Sequence, residues 1–396
     1  MDKVEHYEYI VVGGGITGAG VFRDLVLHDK KTLLIDKKEF MTQTSSQSSK
    51  MLHGGIRYLE HLEFSLVKEA LNEKNTWKDL APDFTKELEF IIPVYKDSPH
   101  TFWKLYAGVK LYDTLSMFRN KPSGKLSKKD LIKRLPHLNS KSLIGAITYH
   151  DVIIDDKDFG KSIIESVNSN KNAITLENTE ILKISEKSPF TITLKNHKEF
   201  TIRADEIIFC TGPFTDQIMK KLDFNWKPKI LPSKGSHLIL DKNKIDCPHP
   251  IVIQEQNRII FLIPHDEFVL LGTTELKLTK GDDFFDLDIS EQEKKYLIRN
   301  FKHYFPRLEI ENAIIGQTAG VRPLVIKNGI NESQAPGAAS RQHLIFQPKN
   351  NCSILIGGKY TTFRKMAADV VSKIFARKQL TYYPNLSLKP IHKTKS

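Results

Sequence analysis

Gly13, Gly15 and Gly18 are the first residues in the chain whose type and spacing could hold a ligand. In a G-x-G-x-x-G loop the first glycine permits a tight turn. The second lets backbone approach a pyrophosphate, and the third lets the following helix pack close to the preceding strand. Asp36 stands 18 positions beyond Gly18, where a carboxylate can accept from a ribose hydroxyl. The glycines alone are a weak signal, and a glycine turn in an unrelated α/β protein is the plain alternative. Their surroundings decide between the two. Tyr7 to Val12 (YEYIVV) is a short apolar, β-branched strand, AGVFRDLVLHDKK after the glycines is helical, and Thr32 to Ile35 (TLLI) is a second strand running into Asp36. Strand, loop, helix, strand and terminal acid arrive in the order a dinucleotide site requires. FAD and NAD both fit it.

The rest of the chain must build a core around that site. At 396 residues it is long enough for one large core or two that share an interface, and its 40% hydrophobic and 27% charged residues are the balance of a globular enzyme. No apolar run is long enough to span a bilayer. The opening MDKVEHYEYIVVGGG has no basic start, apolar stretch and cleavage site in series. The expected location is therefore the cytoplasm or a surface facing it, including peripheral contact with the inner face of the membrane. Cys210, Cys247 and Cys352 are scattered, and the 14 histidines show no ligand spacing, so neither disulfides nor a metal site are expected. The formal net charge of +12 suits anionic substrates or an anionic lipid surface; no clustered base-reading element points to nucleic acid.

Coarse periodicity gives an amphipathic helix at Phe64 to Leu80, with Phe64, Val67, Leu71 and Leu80 on one side. A strand is expected at Gly145 to Ile154, a helix from Asp156 to Ser169, and strands at Thr175 to Ile184, Phe190 to Leu194, Phe200 to Ile202 and Glu206 to Cys210. Short antiparallel strands follow from Leu231 to Leu271. A closing strand (Cys352 to Ile356) and helix (Thr361 to Phe375) restore α/β character. The tail from Tyr382, rich in Pro and Lys, is expected to fray. Thr101 to Phe118 interleaves aromatics with lysines. It reads either as a lipid-docking patch or, the expectation held here, as a core-facing helix with solvated lysines.

One stretch separates FAD from NAD: Thr44-Ser45-Ser46-Gln47-Ser48-Ser49-Lys50-Met51-Leu52-His53-Gly54-Gly55-Ile56-Arg57-Tyr58-Leu59-Glu60. It resembles the run T-S-S-x-S-S-K-x-x-H-G-G-x-R-Y-L-E of FAD-dependent glycerol-3-phosphate dehydrogenases of the aerobic bacterial and mitochondrial type. The chemistry agrees, since small hydroxyl residues and Gly54-Gly55 let donors crowd against a ribityl chain and a flat ring. The likeness continues in Lys234-Gly235-Ser236-His237, in Gly272-Thr273-Thr274-Glu275 (Glu where the family has Asp), in Gly320-Val321-Arg322-Pro323-Leu324 and in Gly357-Gly358-Lys359-Tyr360-Thr361-Thr362. Cys210-Thr211-Gly212-Pro213 is similar to the family's A-T-G-P. Members of that family continue into a further helical domain where this sequence stops, which leaves acceptor, oligomer contacts and membrane docking open.

The resemblance implies a doubly wound, glutathione-reductase-like α/β FAD domain from residues 1–85, 145–230 and 340–380. An inserted antiparallel-sheet substrate domain of the D-amino-acid-oxidase-like kind would take 86–144 and 231–339, with 381–396 as tail. It implies FAD as cofactor, held by Gly13, Gly15, Ile16, Thr17, Gly18, Asp36, Lys37, Thr44, Ser45, Ser48, Ser49, Lys50, Leu52, His53, Gly54, Ile181, Gly212, Gly358, Lys359, Thr361 and Thr362. The implied reaction is oxidation of sn-glycerol 3-phosphate to dihydroxyacetone phosphate, with electrons passing to a quinone or another acceptor. Phosphate wants arginine forks. By motif position Arg57, Arg322 and Arg341 are the candidates, with Tyr58 and Thr274 orienting the substrate. Lys359 would add charge at the flavin or hold the substrate. The proton acceptor is the least determined role: His237 has the right chemistry, while transfer assisted by Arg322 or through water is equally admissible. Each assignment has an ordinary rival, namely a surface salt bridge for an arginine, a helix-entry lysine for Lys359, a core aromatic for Tyr58 and a structural histidine for His237. Two rivals to the whole reading also stay open: oxidation of a 2-hydroxy acid or amine, and a flavin-binding protein without turnover.

Overall fold

The computed structural model describes residues 4–256, 258–279, 282–326 and 342–393. Two sheets organise them. In the first, the strands run in the order His343–Lys349, Cys352–Gly357, Glu199–Phe209, His6–Val12, Thr32–Ile35, Ala173–Leu176. From Cys352–Gly357 to Ala173–Leu176 they pair in parallel. Parallel strands are covered on both faces and so read as continuous apolar runs. Here Tyr9, Val11 and Leu34 face one core while Ile10, Val12, Leu33 and Ile35 face the other. The helices Ile16–Leu27, Asp156–Glu165 and Phe363–Arg377 cover the first face. The second is covered by the antiparallel strands Glu180–Ile184 and Phe190–Lys195 with the short helix Thr215–Lys221. The Ile16–Leu27 helix is buried along most of its length between sheet and neighbouring helices, which is why its apolar residues show no clean stripe.

The second sheet is almost wholly antiparallel. Ile314–Val325 pairs along the length of Ile230–Asp241, and from there the order continues through Phe268–Gly272, Arg258–Pro264, Ile251–Glu255, Thr85–Tyr95 and Leu143–Ile154 to Met51–Leu52. Helix Glu291–Tyr304 packs on one face, and Phe64–Leu80 with Phe102–Leu115 on the other.

The doubly wound α/β architecture with an antiparallel partner sheet is therefore as expected, and several local expectations need correction. Gly145–Ile154 pairs with Thr85–Tyr95 along its length, so we propose assigning it to the second unit rather than opening the cofactor unit at residue 145. The expected strand Thr175 to Ile184 is interrupted at residues 177–179, and Glu199–Phe209 is one strand where two were expected. Helix Glu291–Tyr304 and strand Ile314–Val325 had no reading in the sequence. The tail is docked, not frayed. Arg23, 4% exposed, needs acceptors for its guanidinium, and it finds them in the carbonyls of Ser387 (3.1 Å) and Lys389 (2.7 Å). Ile391 is buried, its N–H donating to the Leu80 carbonyl. The Phe102–Leu115 helix does bury Val109 and Tyr112, but its outward side carries Trp103 (67% exposed) and Leu111 as well as lysines, and Phe118 stands exposed just beyond it.

Candidate active site

The glycine loop is shaped by near-contacts that leave no room for side chains. Gly13 has φ +108°, and a Cβ there would lie 2.5 Å from the Cys210 carbonyl oxygen; at Gly18 it would lie 1.8 Å from the Gly13 carbonyl oxygen. Gly18 thus serves helix-to-strand packing and does not face the cleft, as the third glycine of such a loop should. Asp36 accepts from the N–H of Gly14 (2.6 Å) and of Lys38 (2.8 Å), and burial raises its pKa against those donors. The acid expected to meet a ribose therefore also fastens the loop. The Ser45 hydroxyl accepts the Ile16 N–H at 2.9 Å.

A cleft of about 420 Å³ runs from this loop between the two sheets. One wall is made by Gly13, Gly15, Ile16, Thr17, Asp36, Lys37, Thr44, Ser45, Ser48, Ser49, His53, Tyr58, Ile181, Gly212, Gly358, Lys359 and Thr361, all expected from the sequence. The opposite wall carries His237 and Arg322. Its lining suits a dinucleotide: a glycine cradle, the Asp36 carboxylate, and the turn Gly357-Gly358, both residues at φ near +78°. The Tyr360–Thr362 turn and the Phe363–Arg377 helix start there, so backbone N–H groups and the helix dipole face negative charge.

Other expected contacts turn out to support the wall from behind. Asp156, fully buried, takes the N–H (3.0 Å) and hydroxyl (2.7 Å) of Ser48 and pairs with Lys50 at 2.5 Å. Leu52 is in the core. The Gly54 N–H donates to the Tyr112 hydroxyl (2.8 Å), which donates in turn to Asp151, itself paired with the buried Lys74 at 3.1 Å. Thr362 is buried, its hydroxyl donating to the Lys359 carbonyl. Lys50, Leu52, Gly54 and Thr362 therefore do not line the cleft. Arg57 is half-buried on the short helix Ile56–His61 beside Tyr58 and does not line it either. Arg341 lies outside the described residues.

At the end of the cleft nearest His237 the second sheet supplies the polar groups. His237 is 2% exposed; its Nε2 is 3.0 Å from the Ser49 hydroxyl, and its Nδ1 has no hydrogen-bond partner among the described residues. Burial, joined by the charges of Arg322 and Lys50, lowers its pKa to about 3, so the ring is neutral at pH 7. Arg322 donates from Nη2 to the Thr273 hydroxyl (2.8 Å), and both terminal nitrogens lie within 3.5 Å of the Thr274 carbonyl oxygen. Thr274 was expected to touch the substrate. It is 3% exposed, and its hydroxyl donates to Glu293 (2.7 Å) and accepts from the Ser236 N–H (2.9 Å), so it holds Arg322 instead. The ammonium of Lys359 sits 4.1 Å over the Tyr58 ring, which the left-handed Gly55 (φ +77°) accommodates.

Sequence reasoning missed Phe214 and Phe285, whose rings stack at 4.2 Å across the Asp36 end, and the Lys37–Glu180–Lys221 ion pairs beside them. Pairing distant positions needs the fold, so no local signal could have found them. It also missed Gly235 and Gly320, which face each other across the Ile230–Asp241 and Ile314–Val325 strands and line the cleft. Both lie in the quoted motifs, yet only the register makes them partners.

Known proteins agree with this geometry. The profile of the FAD dependent oxidoreductase family matches residues 8–347. A glycerol-3-phosphate dehydrogenase of Synechocystis (strain PCC 6803) is 30% identical, the match covering 94% of this chain and 70% of that protein. One from Mycobacterium leprae is 29% identical, with 94% and 63% covered, so this chain spans under two thirds of that relative. The solved structure of the Bacillus halodurans glycerol-3-phosphate dehydrogenase complexed with FAD superposes with a TM-score of 0.76 at 21% identity, covering 98% of this chain and 68% of that one. A cleft built for an FAD-sized dinucleotide, with cations and a neutral histidine at one end, and a family match over most of the chain lead to one statement: this chain belongs to the FAD dependent oxidoreductase family, with FAD as its cofactor, and is similar in sequence to the glycerol-3-phosphate dehydrogenases within it.

Proposed function

We propose that the chain oxidises sn-glycerol 3-phosphate to dihydroxyacetone phosphate. FAD, when bound, supplies the hydride acceptor. The observation that supports the reading is Arg322: its guanidinium lines the cleft and is held there by the Thr273 hydroxyl and the Thr274 carbonyl, and a held fork is the group that suits a phosphate. Lys359 adds a second positive charge to the cleft. His237 receives the proton of the substrate hydroxyl as the hydride leaves the carbinol carbon. A pKa near 3, set first by burial and then by the cations Arg322 and Lys50, makes a poor base. A bound dianion offsets both and raises the basicity of the ring when substrate arrives. Ser49, on Nε2, fixes its orientation.

Electrons then pass to a quinone or another acceptor. With this goes a cytoplasmic location, peripheral on the inner face of the membrane where the acceptor is a quinone; among the described residues no helix is long and apolar enough to cross a membrane. Anaerobic mixing of the purified yellow protein with glycerol 3-phosphate tests the reading by bleaching of the oxidised-flavin absorbance. Bleaching by a 2-hydroxy acid or an amine but not by glycerol 3-phosphate would transfer the assignment to that substrate class. Bleaching by none of them would make it a flavin-binding protein without turnover.

A further inference from the structure

The carboxylate of Glu293 has more partners than any other buried acid described above, and none of them is in the cleft. It accepts from Lys234 Nζ (2.8 Å), the Ser236 hydroxyl (2.9 Å), the Thr274 hydroxyl (2.7 Å), and the N–H (3.0 Å) and hydroxyl (2.9 Å) of Ser290. Ser290 caps the Glu291–Tyr304 helix, and Glu293 closes the capping box on it, so the acid is held on a rigid element. These partners hold its pKa near 2, and Lys234 matches its charge.

Two of the segments it ties together flank one guanidinium. Ser236 belongs to the Ile230–Asp241 strand and Thr274 to the turn after Phe268–Gly272, and the two are also linked directly, the Thr274 N–H donating to the Ser236 carbonyl at 3.1 Å. Arg322 threads between them. One side is closed by Gly235, where an added Cβ would stand 2.4 Å from Arg322 Nη2. On the other are the Thr273 hydroxyl and the Thr274 carbonyl that orient the fork. Remove the Glu293 contact and the Thr274 hydroxyl keeps only the Ser236 N–H, which loosens the turn whose backbone carbonyl orients the fork.

We infer that Glu293 is a positioning residue for anion binding: acting through Thr274, it holds the Arg322 fork in the orientation that receives a phosphate. The inference rests on the proposed use of Arg322 and adds a residue remote from the cleft to the specificity of that site.

The test uses the FAD-loaded protein, with inorganic phosphate as probe. Phosphate is titrated against the flavin absorbance spectrum, and KM and kcat for glycerol 3-phosphate are measured, in wild type, Glu293→Gln and Thr274→Val. Thr274→Val removes the hydroxyl but keeps the shape, so it carries the test should Glu293→Gln fail to fold. Expected is a rise of about tenfold in both the half-saturating phosphate and KM, in both variants, with FAD content retained and kcat changed much less. A drop in kcat or FAD content with phosphate binding unchanged would mean a merely structural role and overturn the inference. So would a wild type reduced by glycerol 3-phosphate whose flavin spectrum ignores phosphate, although the proposed function would then stand. Conversely, a wild type inert to glycerol 3-phosphate whose phosphate titration weakens in both variants would uphold the inference and remove the substrate reading.

Discussion

Replacing Lys74 by Met is expected to destabilise the protein more than any change in the cleft. Lys74 is fully buried, its ammonium shared between Asp151 (3.1 Å) and the Asn120 side-chain oxygen (2.8 Å), and Asp151 is 1% exposed. Burial pushes the Asp151 carboxyl up and the Lys74 ammonium down, each partner opposing the other's shift. Methionine fills nearly the same volume, so the loss is electrostatic: a carboxylate left in the core without its counter-charge. Breaking a buried pair in this way costs about 3–5 kcal/mol. Tyr112→Phe leaves the pair intact and strands the Gly54 N–H, a cost of about 1–3 kcal/mol. The double change Lys74→Met with Asp151→Leu removes both charges and should recover most of the loss, since apolar replacement of a whole buried pair is often near neutral. Urea unfolding followed by circular dichroism, at one fixed excess of FAD because the cofactor itself adds stability, gives the ordering. A Lys74→Met protein within about 1 kcal/mol of wild type, or a double variant weaker than Lys74→Met, would refute the reasoning.

Arg322→Ala should lower kcat/KM for the phosphorylated substrate by about ten- to a hundredfold, and Arg322→Lys should restore little of it, because a point charge does not replace a fork. Steady-state kinetics with both variants checks this. Gly235→Ala should mimic a partial loss of Arg322 by pushing Nη2 aside, raising KM while FAD content stays normal. Acid stability should depend on two groups with the same sign. His237 has a folded pKa near 3 against an ordinary 6.5, and Glu293 one near 2 against 4.5. Both therefore bind protons more readily in the unfolded chain, and both contributions are present at neutral pH and are lost as pH falls, His237 between 6.5 and 3, Glu293 between 4.5 and 2. Unfolding midpoints of His237→Phe and Glu293→Gln across that range should show flatter pH dependence than wild type.

The cofactor half of the site was legible because its determinants are local. Gly13 to Asp36 is one continuous unit, and each residue's task follows from its neighbours in sequence. At the other half of the cleft, sequence pointed to Arg322 and His237 as cleft residues, whereas Thr274 lies in the core with its side chain on Glu293 and its carbonyl on Arg322. Glu293 was invisible: its partners come from positions 234, 236, 274 and 290, and nothing in a helix start marks which strands it will meet. Gly145 to Ile154 was recognised as a strand, but its pairing with Thr85–Tyr95 was not, since an apolar run names no partner. The tail was misjudged because composition carries no trace of Arg23, far away in the chain, requiring its carbonyls.

The aromatic pair at the Asp36 end has a consequence for traffic in and out of the protein. The serine-rich wall is anchored by Asp156 at Ser48 and through Tyr112 at Gly54, so swinging it aside would break buried bonds at both places. Phe214 and Phe285 meet ring on ring at 4.2 Å, with the Phe284 ring 6.1 Å from Phe214, in contacts whose specific geometry adds about 0.5–1.5 kcal/mol each beyond the area they bury. Phe285→Ala removes the ring-on-ring contact at the Asp36 end, and a faster release of FAD from that variant is the expected result.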